Sequence, residues 1–219
     1  MAKCRISPCI VVCVLGMLFV FFEDHETEKR GSLNLLDVSS TSALIAFGAI
    51  TLNFLLGWAI WSRKRIPLPK GVTLLKLHKF TAYSAVGFIL LHIALIPLDS
   101  NSGFKWIDLL LPLWTTHQPW KYTFGAISFY LLAIIVVSSY YKNKITYKTW
   151  RKLHYISYVA APVLLVHGLF TDPSLKDKSI DFLDGEKIFV EVCALVLFVL
   201  IIYRFSATRA RKEFERTQS

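Results

Sequence analysis

The 219-residue sequence contains no Cys-x-x-Cys pair, no Gly-x-Gly-x-x-Gly loop and no Gly- or Ser-rich linker. The first absence argues against a zinc ribbon or a thioredoxin-like redox pair, and the second against a dinucleotide-binding domain. The third leaves one helical domain rather than two joined by a flexible hinge. Cysteine is sparse: Cys4, Cys9 and Cys13 lie in or before one apolar run and Cys193 inside another, so no structural disulfide is expected. Acidic charge is also scarce, with 15 Asp and Glu against 25 Lys and Arg, a formal net charge of +10.

What the chain has in excess is apolar surface. Hydrophobic residues make up 54% of it and the mean hydropathy is +0.49, too apolar for a soluble domain of this length. A spanning helix needs about 20 apolar residues to cross a hydrocarbon core of about 30 Å. Five such runs are clear, at roughly 42–62, 77–98, 121–141, 153–171 and 187–204. A sixth, from Ile6 to Phe22, follows Lys3 and Arg5 and lacks an A-x-A cleavage pattern. It reads as a retained helix rather than a signal peptide. The expected fold is therefore all-α, a polytopic membrane bundle of six transmembrane helices. Residues 1–41 form the first helix with its outside loop, 42–204 the bundle proper, and 205–219 a basic cytoplasmic tail.

The basic residues are distributed as topology demands. With the N-terminus inside, 17 Lys and Arg fall in the inside segments near 3–5, 63–76, 142–152 and 204–216, against seven in the outside loops. This positive-inside bias puts both termini in the cytoplasm, with a bacterial inner membrane as the expected location, and accounts for the charge without a nucleic-acid partner. Trp58, Trp61, Trp106, Trp114, Trp120 and Trp150 all fall at expected helix ends, where the indole ring suits the headgroup region. The apolar stretch at 106–114 is too short to span and is expected to lie along the outer interface.

Histidine within a bilayer is costly and faces a bundle interior when it occurs there. His78 and His92 lie fourteen residues apart on the helix over 77–98; His154 and His167 lie thirteen apart on the helix over 153–171. At 1.5 Å per residue these intervals are about 21 Å and 20 Å. Both helices run from inside to outside, so His78 shares a level with His154, and His92 with His167. Each level offers one imidazole from each of two helices, the donor set for bis-histidine haem iron, and two levels imply two haems b. No Cys-x-x-Cys-His attachment motif is present, so they would be non-covalent. Fourteen residues leave the first pair about 40° apart around the helix, whereas thirteen leave the second about 140° apart. That mismatch calls for local rewinding or tilted ligation, an adjustment that Pro162 is placed to supply. His25 and His117 fall in outside loops and read as ordinary solvated residues.

The segments LHKFTAYSAVGFILLHIAL (77–95) and SSYYKNKITYKTWRKLHYISYVAAPVLLVHGLF (138–170) resemble the ferric-reductase-like transmembrane domain of ferric reductases, NADPH oxidases and smaller bacterial relatives. The resemblance covers roughly 42–204 and places the family's axial ligands on His78, His92, His154 and His167. The chain also resembles the haem subunit of the bacterial methionine sulfoxide reductase system, whose motif has no counterpart of His78; that residue favours the two-haem branch. Larger family members continue into a flavin- and nicotinamide-binding domain. The chain as given stops about fifteen residues past its last helix, so the expected donor is a separate cytoplasmic flavin reductase or membrane quinol, with flavin or quinone supplied by the partner. Ferric iron, oxygen, a flavin or a redox protein are the outer-side acceptors implied. Arg151 and Lys152 are candidates to pair with the inner haem's propionates, with plain topological charge as the alternative. Ala82, Ala85, Gly87, Ala160 and Ala161 either make room for porphyrin or serve close helix packing. Two rival functions remain open on the sequence: a quinol-linked cytochrome b subunit, and a metal or proton transporter using the same histidines.

Overall fold

The computed structural model of the chain describes residues 34–62, 68, 71–100, 102–110, 119–171 and 185–217. The expected helix over 6–22 lies outside them, as do His25, His117 and Trp114. The described residues contain helices and no strand: α1 Leu35–Trp61, α2 Leu74–Leu95, α3 Trp106–Leu110, α4 Pro119–Tyr140, a 3₁₀ turn Lys142–Lys144, α5 Tyr147–His154, α6 Ser157–Phe170 and α7 Gly185–Thr217. Counting α5 and α6 as one run, five helices among the described residues are long and apolar enough to cross a membrane. The protein is an integral membrane protein, and large side chains such as Phe80, Val137, Val159, Leu195 and Phe198 are exposed because lipid is their solvent.

Helix starts follow their caps. The side chains of Asn34, Thr73 and Thr146 accept from the N–H groups of Leu36, Lys76 and Thr149, satisfying donors that the first turns of α1, α2 and α5 leave open. Gly71, at φ +84, turns the chain into α2. α1 packs along α2, α4 along α5 and α6, and α7 closes against α1 and α6. Phe47 of α1 joins Phe189, Val190 and Cys193 of α7 in a buried cluster, with Leu164, Leu165 and Leu169 of α6 against it. A second cluster, Ile96, Phe104 and Tyr122, seals the end away from the basic turns. Among the described residues α2 has no extended packing against α4, α5 or α6, and a cavity of about 1050 Å³ separates them.

Two expectations are refined. The rewinding between His154 and His167 takes place at Tyr155–Ile156, where α5 ends and α6 begins, nearly two turns before Pro162, which sits inside α6. There the N–H groups of Ile156, Tyr158 and Val159 bond to carbonyls three residues back. A 3₁₀ geometry turns about 120° per residue instead of about 100°, so three such residues reduce the mismatch from about 140° to roughly 80°. Within the expected basic tail, residues 205–217 are helical and continuous with α7. At 33 residues α7 is about 50 Å long, well beyond a hydrocarbon core of about 30 Å, so its basic stretch from Arg204 onward emerges into water.

Candidate functional site

α2, the end of α5 and α6 contribute the cavity's four histidines in two facing pairs: His78 and His92 from α2, His154 from α5 and His167 from α6. The rings of His78 and His154 have centroids 6.3 Å apart, and those of His92 and His167 are 6.5 Å apart. All four line the same cavity. Two metal–nitrogen bonds of about 2 Å each, plus half an imidazole ring at either side, span about 6 Å. Each pair is thus spaced as two imidazoles on opposite sides of one metal ion would be. Among the described residues no cluster of three or more His, Cys, Asp or Glu is placed to hold a bare metal ion. A two-imidazole site completed by a planar macrocycle fits this donor set; a bare cation site does not.

The ring nitrogens are already assigned roles by the backbone. Nδ1 of His78 donates to the carbonyl of Asn53 at 3.1 Å, Nδ1 of His92 to that of Ser39 at 3.0 Å, and Nδ1 of His167 to that of Lys121 at 2.9 Å. A carbonyl only accepts, so the proton sits on Nδ1 and the Nε2 lone pair is left for a metal. A carbonyl partner of this kind fixes a ligating imidazole's tautomer and orientation. His154 differs. Its Nδ1 is buried without a hydrogen-bond partner, and its ring stacks on Trp150 at 5.2 Å and 22°.

Ser39 and Asn53 are site residues that the sequence reading did not single out. The Ser39 hydroxyl lies 2.9 Å from His92 Nδ1 and donates to the His92 carbonyl at 3.0 Å. The Asn53 amide donates to the His78 carbonyl and, at 2.9 Å, to Thr81 Oγ1. These two positions of α1 are fourteen residues apart, as are His78 and His92 on the antiparallel α2, so one interval registers both levels. Two glycines complete the fit. A Cβ on Gly125 would stand 2.8 Å from His167 Cε1, and one on Gly57 would stand 3.4 Å from His78 Cε1.

Residues 35–165 match the family model described as "Ferric reductase like transmembrane component". The chain belongs to this ferric-reductase-like family. Among curated proteins none matches it. The match takes in His78, His92 and His154 and stops two residues short of His167, whose place opposite His92 comes from the structure. Of the other residues the sequence singled out in this ferric-reductase-like component, Ala82, Ala85, Ala160, Ala161 and Arg151 line the cavity. Gly87 and Lys152 do not, and Lys152 is exposed.

Proposed function

We propose that this protein is a transmembrane electron conduit holding two b-type haems, passing single electrons from a donor at its basic end to an acceptor at the other. The observation that carries this reading is the pair of facing imidazole sets, 6.3 Å and 6.5 Å between rings, within one cavity. When bound, haem supplies a one-electron ferric–ferrous couple. The chain's own residues do the rest. His78 with His154, and His92 with His167, would each hold one haem between their imidazoles, and a haem held by two histidines would suit electron transfer rather than oxygen binding at the iron. The carbonyls of Asn53, Ser39 and Lys121 hold three of the rings in the ligating tautomer. The apolar walls from α1, α2, α4 and α6 keep water from between the two levels, which favours transfer over side reactions.

The basic end, with the turn at 142–152 and the Arg204 segment, faces the cytoplasm of a bacterial inner membrane in this reading, by the positive-inside bias. The donor is a cytoplasmic flavin reductase or quinol, and the acceptor ferric iron, oxygen, a flavin or a redox protein on the outer side. Purified protein is expected to be red, with a Soret band that sharpens on dithionite and a haemochrome ratio near two per chain. NADH with a flavin reductase should reduce the haem in inverted vesicles and not in right-side-out ones, with a quinol analogue compared alongside. Colourless protein, or reduction confined to right-side-out vesicles, would sink respectively the haem and the orientation.

Ser39→Ala removes the hydroxyl from His92 while leaving the backbone carbonyl in place. Losing such an outer-shell partner costs roughly tenfold in affinity at the low end of what is seen for metal-ligating histidines. The haem at the His92 level should therefore be lost about tenfold faster to an excess of apomyoglobin, with the His78 level unchanged; equal loss from both levels would show that Ser39 only stabilises the fold.

A further inference from the structure

Two arginines meet at the basic mouth of the cavity with no acid between them. Arg204 stands where α7 leaves its apolar run. Its guanidinium lies 3.8 Å over the Trp61 ring of α1, and one of its nitrogens, Nη2, is 3.4 Å from the Tyr155 hydroxyl. Its other terminal nitrogen, Nη1, is buried and makes no hydrogen bond. Arg151 of α5 donates from Nε to the same Tyr155 oxygen at 2.9 Å. Both arginines and Tyr155 line the cavity that holds His78 and His154.

Electrostatics makes this arrangement incomplete as it stands. Two guanidiniums that share one phenol oxygen repel each other, and a buried N–H without an acceptor is costly. Among the described residues neither guanidinium pairs with a carboxylate. The carboxylates lining the cavity are Asp108 and Glu186, and Glu186 lies 18 residues from Arg204 along α7, about 27 Å away. A guanidinium fork is matched in geometry to a carboxylate or phosphate, and stacking on an indole pre-orients it. We propose that Arg204, Arg151 and the Tyr155 hydroxyl form an anion clamp at this mouth, which takes the carboxylate or phosphate of the redox group bound beside His78 and His154.

That chemistry has two sources, the propionates of a haem at this level or the phosphate of a donor arriving at the mouth; the first rests on the haem reading above. The test uses the full chain in phosphatidylcholine nanodiscs, as wild type, Arg204→Gln, Arg151→Gln/Arg204→Gln, Arg204→Lys, and Lys148→Gln as an exposed control on the same helix. With propionates in the clamp, the propionate-bending band in resonance Raman spectra shifts in the double variant, returns towards wild type in Arg204→Lys and stays put in Lys148→Gln. With a separate phosphate ligand, that band is unmoved, and pyrophosphate raises the melting temperature of the wild type but not of the double variant. A band and a pyrophosphate response that are the same in wild type and double variant overturn the clamp. Wild-type protein that binds no haem defeats the haem reading alone, and the pyrophosphate comparison then decides the clamp by itself.

Discussion

His167→Ala is expected to reduce haem content from two per chain to one, and His92→Ala added to it to remove nothing more. The reason is geometric. His92 and His167 face each other at 6.5 Å, so either substitution strips the same iron of one axial nitrogen, and the second acts on a site already lost. The same holds for His78 and His154, whose rings are 6.3 Å apart. A double substitution across levels, His78→Ala with His92→Ala, breaks both sites although both residues lie on α2, and is expected to give colourless protein. Haemochrome analysis gives the count, and low-temperature difference spectra show which component each variant touches. The pairing fails if His78→Ala and His167→Ala alter one component while His92→Ala and His154→Ala alter the other, because that pattern requires ligation across levels about 20 Å apart along the helices.

The pairing was legible because two signals coincide: runs of about 20 apolar residues mark the helices, and the histidines within two co-directional runs repeat at nearly one interval. What surrounds the histidines was hidden for a physical reason. A Ser or Asn inside a membrane helix ordinarily returns its side chain to its own backbone, as Ser42 does to the Ser39 carbonyl and Thr51 to that of Phe47. Nothing local separates Ser39 and Asn53 from that group. Their fourteen-residue interval, mirroring His78 and His92 on the antiparallel neighbour, is the signal that was there to be found. Small residues carry another. In a helix the carbonyl of residue i points towards residue i+4, so an imidazole that bonds that carbonyl lies against the i+4 side chain. Ala43 follows Ser39 by four, Gly57 follows Asn53 and Gly125 follows Lys121. The break at Tyr155–Ile156 left no comparable mark, since neither residue is a helix breaker. Arg204 looked like any other positive-inside charge until α1 brought Trp61 beneath it.

The glycines turn this geometry into a prediction of opposite signs. In Gly125→Ala the new methyl carbon would stand 2.8 Å from Cε1, 2.9 Å from Nδ1 and 3.1 Å from Nε2 of His167, closer than such carbons pack. The ring has little freedom to withdraw, because Nδ1 is held by the Lys121 carbonyl at 2.9 Å and lies 3.2 Å from Thr171 Oγ1. Either the hydrogen bond breaks or the ring moves towards His92, and both change the level where His92 and His167 meet. Disturbing the support of a ligating histidine costs roughly 10- to 100-fold in affinity, so that haem is expected to fall away while the His78 level stays loaded. Gly57→Ala differs in degree enough to reverse the outcome. Its methyl would meet His78 Cε1 at 3.4 Å and Nδ1 at 3.8 Å, close to ordinary contact, and alanine within a helix is favoured over glycine by roughly 0.5–1 kcal/mol. That variant should keep both haems and melt slightly higher than wild type. Gly168→Ala separates packing from ligation, since its methyl would strike Phe47 Cε2 at 2.9 Å in the α1–α7 cluster rather than any imidazole. Overpacking of that kind costs about 1–3 kcal/mol, so the melting temperature drops and neither spectral component is selectively lost. Full loading at both levels in Gly125→Ala would mean that the space between α4 and His167 is not what holds the ring in place.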